Sequence, residues 1–157
     1  MITIRVQQNA FDPGKEVSVF CRANAGSGGI ATFVGQMRDF QGEARESGKA
    51  VSSMTLEHYP GMAERQLNEL CEEAAGRWEI DAVTVVHRFG DFTPGDPIVL
   101  VAVASAHRDP AFDACRFLMD WLKTQAPFWK KEFTDTDSSW VAAKESDNVR
   151  ASRWKAR

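Results

Sequence analysis

A chain of 157 residues with 43% hydrophobic side chains has room for one sizeable core, and its length is close to the usual ~150 residues of a domain, so a single domain over 1–157 is expected. The formal net charge of -3 excludes a general nucleic-acid binder, which needs a net basic face, so any anion site has to be local. The opening Met1-Ile2-Thr3-Ile4-Arg5 alternates where a secretion signal runs apolar, and no stretch approaches the ~20 apolar residues of a membrane span; a cytoplasmic protein is expected.

Ile2, Ile4 and Val6 alternate as in a half-buried strand, and Lys15 to Ala23 reads as a short helix after Pro13-Gly14. Gly26-Ser27-Gly28-Gly29 breaks the chain before Ile30-Ala31-Thr32-Phe33-Val34, a buried strand. The polar segment from about 39 to 50 carries two glycines and no periodicity, which predicts a mobile loop. Val51 to His58 is strand-like and closes at Pro60-Gly61. Ala63, Leu67, Leu70, Cys71, Ala74 and Trp78 then recur at helical spacing. Val83 to Val86 and Ile98 to Val103 are β-branched runs expected to lie side by side, linked by a short loop around Pro94-Gly95-Asp96. Asp109-Pro110 has the residues of a helix N-cap and first position, and Ala111, Cys115, Leu118 and Leu122 form one apolar face before Pro127 ends the helix. Phe128 to Phe133 and Trp140 to Ala143 read as two short strands or extended segments, with a C-terminal tail from about 146 to 157. This order predicts an α+β domain with helices laid on largely antiparallel sheet.

Cys21, Cys71 and Cys115 are odd in number and widely spaced, so they are expected as buried helix residues and not as a disulfide framework or metal knuckle. His58, His87 and His107 lack the short spacings of a metal site, and neither a phosphate loop nor a GxSxG elbow is present. The candidates that remain are cations. His107 and Arg108 stand where a strand ends and a helix begins, where free N–H groups favour anions and an Arg can fork onto phosphate. Read alone, they are equally well ordinary surface residues. Lys123 falls in the last turn of the same helix and Lys130 follows past Pro127, so both can point at one region; a helix-dipole contact and a solvated Lys130-Lys131 pair are the competing readings. Arg38, leaving the Ile30 strand, can complete a cationic pocket.

Four motifs in order carry a resemblance: Leu56-Glu57-His58-Tyr59-Pro60-Gly61-Met62; His87-Arg88-Phe89-Gly90 with Pro94-Gly95-Asp96; Ser105-Ala106-His107-Arg108; and Leu122-Lys123-Thr124-Gln125-Ala126-Pro127-Phe128-Trp129-Lys130-Lys131-Glu132. From about Ile30 through Glu145-Ser146-Asp147 the chain resembles the large-subunit family of molybdopterin synthase. That resemblance implies an α/β hammerhead-type fold with an additional antiparallel β-sheet subdomain. It also implies a homodimer at the centre of a heterotetramer, with a small β-grasp sulfur-carrier subunit at each end. The small subunit's C-terminal Gly-Gly thiocarboxylate would deliver sulfur to cyclic pyranopterin monophosphate and form the dithiolene of molybdopterin, with no cofactor or metal bound for catalysis. By motif match, Lys123 and Lys130 correspond to the family's catalytic lysines, Arg38, His107 and Arg108 to its substrate pocket, and Lys131 and Glu132 adjoin that pocket. Substrate phosphate and thiocarboxylate are both anions, which suits the cationic inventory. A non-catalytic scaffold holding a β-grasp tail is the alternative; retention of both lysines favours catalysis. A phosphate-ester hydrolase would need a metal constellation or an activated nucleophile, and neither pattern is in the sequence.

Overall fold

A computed structural model of the chain describes residues 1–42, 45–125, 127–142 and 145–155. In chain order the elements are β1 (Ile2–Gln7), α1 (Pro13–Ala23), β2 (Gly29–Gln36), β3 (Ser53–His58), α2 (Met62–Arg77), β4 (Ala82–Arg88), β5 (Gly90–Phe92), β6 (Pro97–Ser105), α3 (Arg108–Thr124), β7 (Phe128–Phe133), β8 (Ser138–Val141) and α4 (Glu145–Ser152). They form an α+β fold with two four-stranded sheets, ordered β1-β4-β6-β2 and β5-β3-β7-β8. The second sheet is antiparallel throughout, and in the first only β1 with β4 runs parallel.

The first sheet is covered on both faces, which is why its central strands are continuous apolar runs. Val99, Val101 and Val103 of β6 and Val83 and Val85 of β4 face α2 and α3, packing with Leu67, Phe117 and Leu118. The alternate residues Leu100, Ala102, Ala104 and Val86 face α1 through Phe11 and Phe20. Asp12 caps α1, its carboxylate accepting from Lys15 N–H at 3.1 Å, with Pro13 in the first turn. A smaller core, Met37, Val51, Met54, Leu56 and Phe92, underlies the second sheet.

Several expectations need correction. Cys21, expected buried, is exposed on α1, whereas Cys71 and Cys115 are buried; α1 covers the sheet from one side only, so its outer face stays wet. The two β-branched runs do pair, Val85 opposite Val101, but their link belongs to the other sheet. Gly90, at φ +95, turns the chain out so that β5 pairs with β3. The helix expected to be capped at Asp109 begins earlier, with His107 as cap and Arg108 as first residue. Pro110 is tolerated as the third residue of the helix, because the first N–H groups of a helix need no intrahelical acceptor. Ser105 fixes the earlier start: its hydroxyl donates to the Glu79 carbonyl at 2.7 Å and accepts from His107 N–H at 3.3 Å. Gly28 also belongs to this junction, since a Cβ there would lie 2.3 Å from the Ala106 carbonyl oxygen.

The segment expected as a loop folds back on itself. Phe40 bridges Ala50, Gln41 N–H donates to the Lys49 carbonyl at 2.8 Å, and Val51 N–H donates to the Asp39 carbonyl at 2.9 Å. Glu43 and Ala44 lie outside the described residues, as do Ala126 of the long motif, Ala143 and Lys144, and Ala156 and Arg157. The expected tail carries α4, which docks on α3. Trp154 is 6% exposed, meets Trp78 and Phe117 edge-on at 5.5 and 5.6 Å, and donates its indole N–H to Asp120 Oδ2 at 2.9 Å. Arg77 donates to its carbonyl at 2.9 Å.

Trp154→Ala should therefore cost about 3–5 kcal/mol in chemical denaturation, the usual range for deleting a buried aromatic. A loss under about 1 kcal/mol, as for a surface change, would show that the C-terminal segment does not close the core.

Candidate active site

Strand alternation decides which side chains of the long motif can act together. On β7, Lys130 and Glu132 share the face turned toward Leu56 and the smaller core, and Lys131 takes the opposite face. Lys130 Nζ lies 2.5 Å from Glu132 Oε1, with the carboxylate side chain 10% exposed. A nearly buried carboxylate holds the ammonium in one place and leaves its other donors toward solvent. Arg38 joins them from the end of β2, its guanidinium 4.8 Å above the Phe40 ring. With Gln41, Ser139 and Trp140 these residues line a cleft of about 330 Å³, in the range that takes small-molecule ligands. Lys131 reaches this cleft only through Trp140, whose ring it covers at 5.6 Å, while also lying 5.5 Å from the Phe133 ring.

The remaining candidates lie elsewhere on the chain. Lys123, in the last turn of α3, opens into a second cleft of about 340 Å³ between α3, β2 and α4, with Arg116, Asp120 and Arg150. Lys123, on α3, and Lys130, on β7 of the second sheet, line different clefts. His107 and Arg108 are exposed at the other end of α3, roughly 22 Å from Lys123 at 1.5 Å per residue. Among the described residues Arg108 pairs with Asp109, 3.6 Å away, with both side chains about 85% exposed. Of the residues implied by the resemblance, Arg38, Lys130 and Glu132 meet.

Sequence reasoning missed Arg116 and Arg150. Arg116 was legible, because Arg116, Asp120 and Lys123 recur at helical spacing on one face of α3. Arg150 was not, since its position depends on the docking of α4. Among the described residues no three His, Cys, Asp or Glu side chains cluster as a metal site, and no helix is long and apolar enough to cross a membrane. Burial pushes the Cys71 thiol up to about 12 and that of Cys115, in the wall of the Lys123 cleft, to about 11. Both are protonated at neutral pH and unsuited to nucleophilic work.

Where the two sheets meet, His87 stacks on Phe128 at 3.7 Å and 14°, and His58 packs against Phe89 at 4.1 Å. His87 Nδ1–H donates to the Arg88 carbonyl at 2.9 Å, which leaves Nε2 as the unprotonated nitrogen. Arg88 is itself buried and donates to the carbonyls of Gln8 and Pro97 at 3.3 and 3.1 Å. This cluster sets the start of β7 two residues before Lys130.

A profile for the family described as "MoaE protein" matches residues 6–125. A Pseudomonas aeruginosa protein described as molybdopterin synthase catalytic subunit is 50% identical over 153 residues, covering 98% of this chain and 99% of the relative. Among solved structures, a Burkholderia ambifaria molybdopterin biosynthesis MoaE protein superposes with TM-score 0.81 at 44% identity, covering 100% of both chains. A Staphylococcus aureus molybdopterin synthase structure matches with TM-score 0.76 at 26% identity, over 88% of this chain and 96% of that one.

Burial, and secondarily the neighbouring His58, lower the His87 pKa from 6.5 to about 4, against the opposing pull of its bond to Arg88. The neutral ring thus contributes stability that is complete above pH 6.5 and is lost as pH falls toward 4, about 3 kcal/mol in all. In urea titrations at pH 7 and pH 4.5, wild type should lose more stability than His87→Gln by an appreciable part of that amount. Equal losses in the two proteins would mean that His87 is protonated in the folded state.

Proposed function

Because the chain belongs to the MoaE protein family, we propose that it is the catalytic subunit of a molybdopterin synthase, transferring sulfur from the C-terminal thiocarboxylate of a small β-grasp subunit to cyclic pyranopterin monophosphate. The observation that carries this reading is the cleft formed by Arg38, Lys130 and Glu132, where two cations face a carboxylate and no thiol lines the wall among the described residues. Such a site suits two anionic reactants whose sulfur is brought from outside. Its oriented ammonium can polarise the thiocarboxylate carbonyl and stabilise charge as sulfur bonds to the pterin and water replaces it on the tail's acyl carbon, leaving a carboxylate, while a guanidinium holds phosphate. No cofactor or metal is required of the chain itself, molybdopterin being the product. Three thiols free of disulfides suit a reducing compartment, the cytoplasm.

The distance of His107 and Arg108 from Lys123 along α3 favours a homodimer whose sites are composite. The exposed start of α3 in one copy then supplies His107 and Arg108 to a cleft of the other, Lys123 and Lys130 acting from their own chain. A two-fold dimer provides this contact twice, and one small subunit per site gives a heterotetramer.

In an assay with thiocarboxylated partner and cyclic pyranopterin monophosphate, Lys130→Ala and Lys123→Ala should each lower turnover by about 10²–10³, as for loss of one transition-state stabiliser. Lys123→Arg should fail nearly as badly, because a guanidinium keeps the charge but changes the donor geometry. Wild-type rates in the folded alanine variants would remove the site assignment, and absence of dithiolene product with wild-type protein would leave only a scaffold role. Composite sites predict a second result. Co-refolding Lys123→Ala with a His107→Ala/Arg108→Ala variant should restore about a quarter of wild-type activity, since half the dimers carry one intact site. A mixture as inactive as its parents would put each site within one chain.

A further inference from the structure

Arg38 lies where regular pairing gives out. β2 follows β6 until the register shifts between Gly35 and Gln36, with Gln36 opposite Pro97, and from there the ladder no longer fixes the direction of the chain. The Thr93–Asp96 turn takes over. Met37 N–H donates to the Asp96 carbonyl at 3.0 Å, and Gly95 N–H donates to the Met37 carbonyl at 2.9 Å, so both backbone groups of Met37 are held by one turn. Its side chain is buried in the smaller core. On the other side of Arg38, the Asp39 carbonyl accepts from Val51 N–H. Arg38 is clasped front and back, with its exposed guanidinium left to line the Lys130 cleft.

The turn keeps its shape through Asp96. Its carboxylate accepts from Thr93 N–H at 2.8 Å and from the Thr93 hydroxyl at 3.1 Å, while Asp96 N–H donates to the Thr93 carbonyl at 3.0 Å. Gly95 takes φ +93, a conformation side chains other than glycine resist, though a Cβ there would meet nothing within 4 Å. Chiefly by donating its N–H, Thr93 holds the Asp96 carboxylate below its ordinary range, so the contact is charge-assisted at neutral pH.

We propose that Asp96 is the positioning residue for Arg38: by closing the Thr93–Asp96 turn around the Met37 backbone, it sets the guanidinium where it meets the substrate's phosphate. This rests on the reading of Arg38 as a phosphate-binding group. A fork that binds two phosphate oxygens loses its advantage when its base shifts by about 1 Å, and such misplacements cost up to about 10²-fold. The loss should appear mainly in capture of the phosphate-bearing substrate and little in turnover at saturation, because Asp96 touches neither reactant.

The experiment is a double-mutant cycle in the complete synthase, with KM for cyclic pyranopterin monophosphate and kcat measured for wild type, Asp96→Ala, Arg38→Ala and the double variant, folding being checked by melting. Asp96→Ala should raise KM about tenfold with kcat within about threefold, and should add less than about twofold in the Arg38→Ala background. Asp96→Asn, which keeps one acceptor for Thr93, should recover most of the loss. If Asp96→Ala does not fold, Gly95→Ala carries the same test, since it disturbs only the turn's backbone. A raised KM in Arg38→Ala with wild-type KM in the turn variant overturns the positioning role alone, as does full multiplication of the two effects. An unchanged KM in Arg38→Ala overturns the phosphate-binding role of Arg38 and the positioning role with it.

Discussion

Pairing of β4 with β6 buries both faces of two adjacent strands, and the remaining elements are placed by that burial. Along β6 the valines 99, 101 and 103 face α2 and α3 while Leu100, Ala102 and Ala104 face α1, so a slip of one residue would exchange the two cores. The small alanines on the α1 side and the larger valines opposite make the two faces unequal in depth, which fixes which helix lies where. Both ends of β6 then act on the candidate site. At its C-terminal end Ser105 ties the start of α3 and with it His107 and Arg108. At its N-terminal end the Thr93–Asp96 turn clasps Met37, beside Arg38.

A buried carboxylate holds the Lys130 cation in place, and another stands in the Lys123 cleft. Glu132 pairs with Lys130 from a nearly buried position, and Asp120 in the Lys123 cleft is bound to the Trp154 indole and lies 3.7 Å from Arg153. In both cases the acid is fixed by the fold, and for Lys130, which is paired with it, this lowers the entropy that a long basic side chain loses when it meets a ligand. A chain that is acidic overall can therefore present two local cationic clefts. The same economy appears at the junction of the sheets, where Arg88 carries a buried charge satisfied by two backbone carbonyls and the face of Phe92, 4.6 Å away.

The elements missed from sequence were those whose signal is created by their neighbours. β5 is three residues long and too short to alternate; it is a strand because β3 offers it an edge. The polar helix α4 buries Ala151, with Trp154 just beyond it, against a surface that exists only once α2 and α3 have packed. Cys21 was expected inside because free cysteine is commonly buried, but whether a given side of a helix meets a core is not a local property. By contrast, reading Phe128 to Phe133 as a strand already implied that Lys130 and Glu132 share a face and that Lys131 does not.

Periodicity, turn chemistry and capping residues determined the larger helices, the central strands and the α+β class, because each is a short-range consequence of where apolar, β-branched, glycine and proline residues fall. The same local pattern singled out the cations at element ends, and the motifs gathered them into one expected pocket. Only the tertiary structure decided that Arg38, Lys130 and Glu132 share a cleft, that Lys123 opens into another, and that His107 and Arg108 stand about 22 Å away along α3. Convergence of side chains from distant segments depends on strand register, sheet order and the direction of each connecting turn, and these are set by the burial of both faces of the β4–β6 pair, not by any residue's own preference.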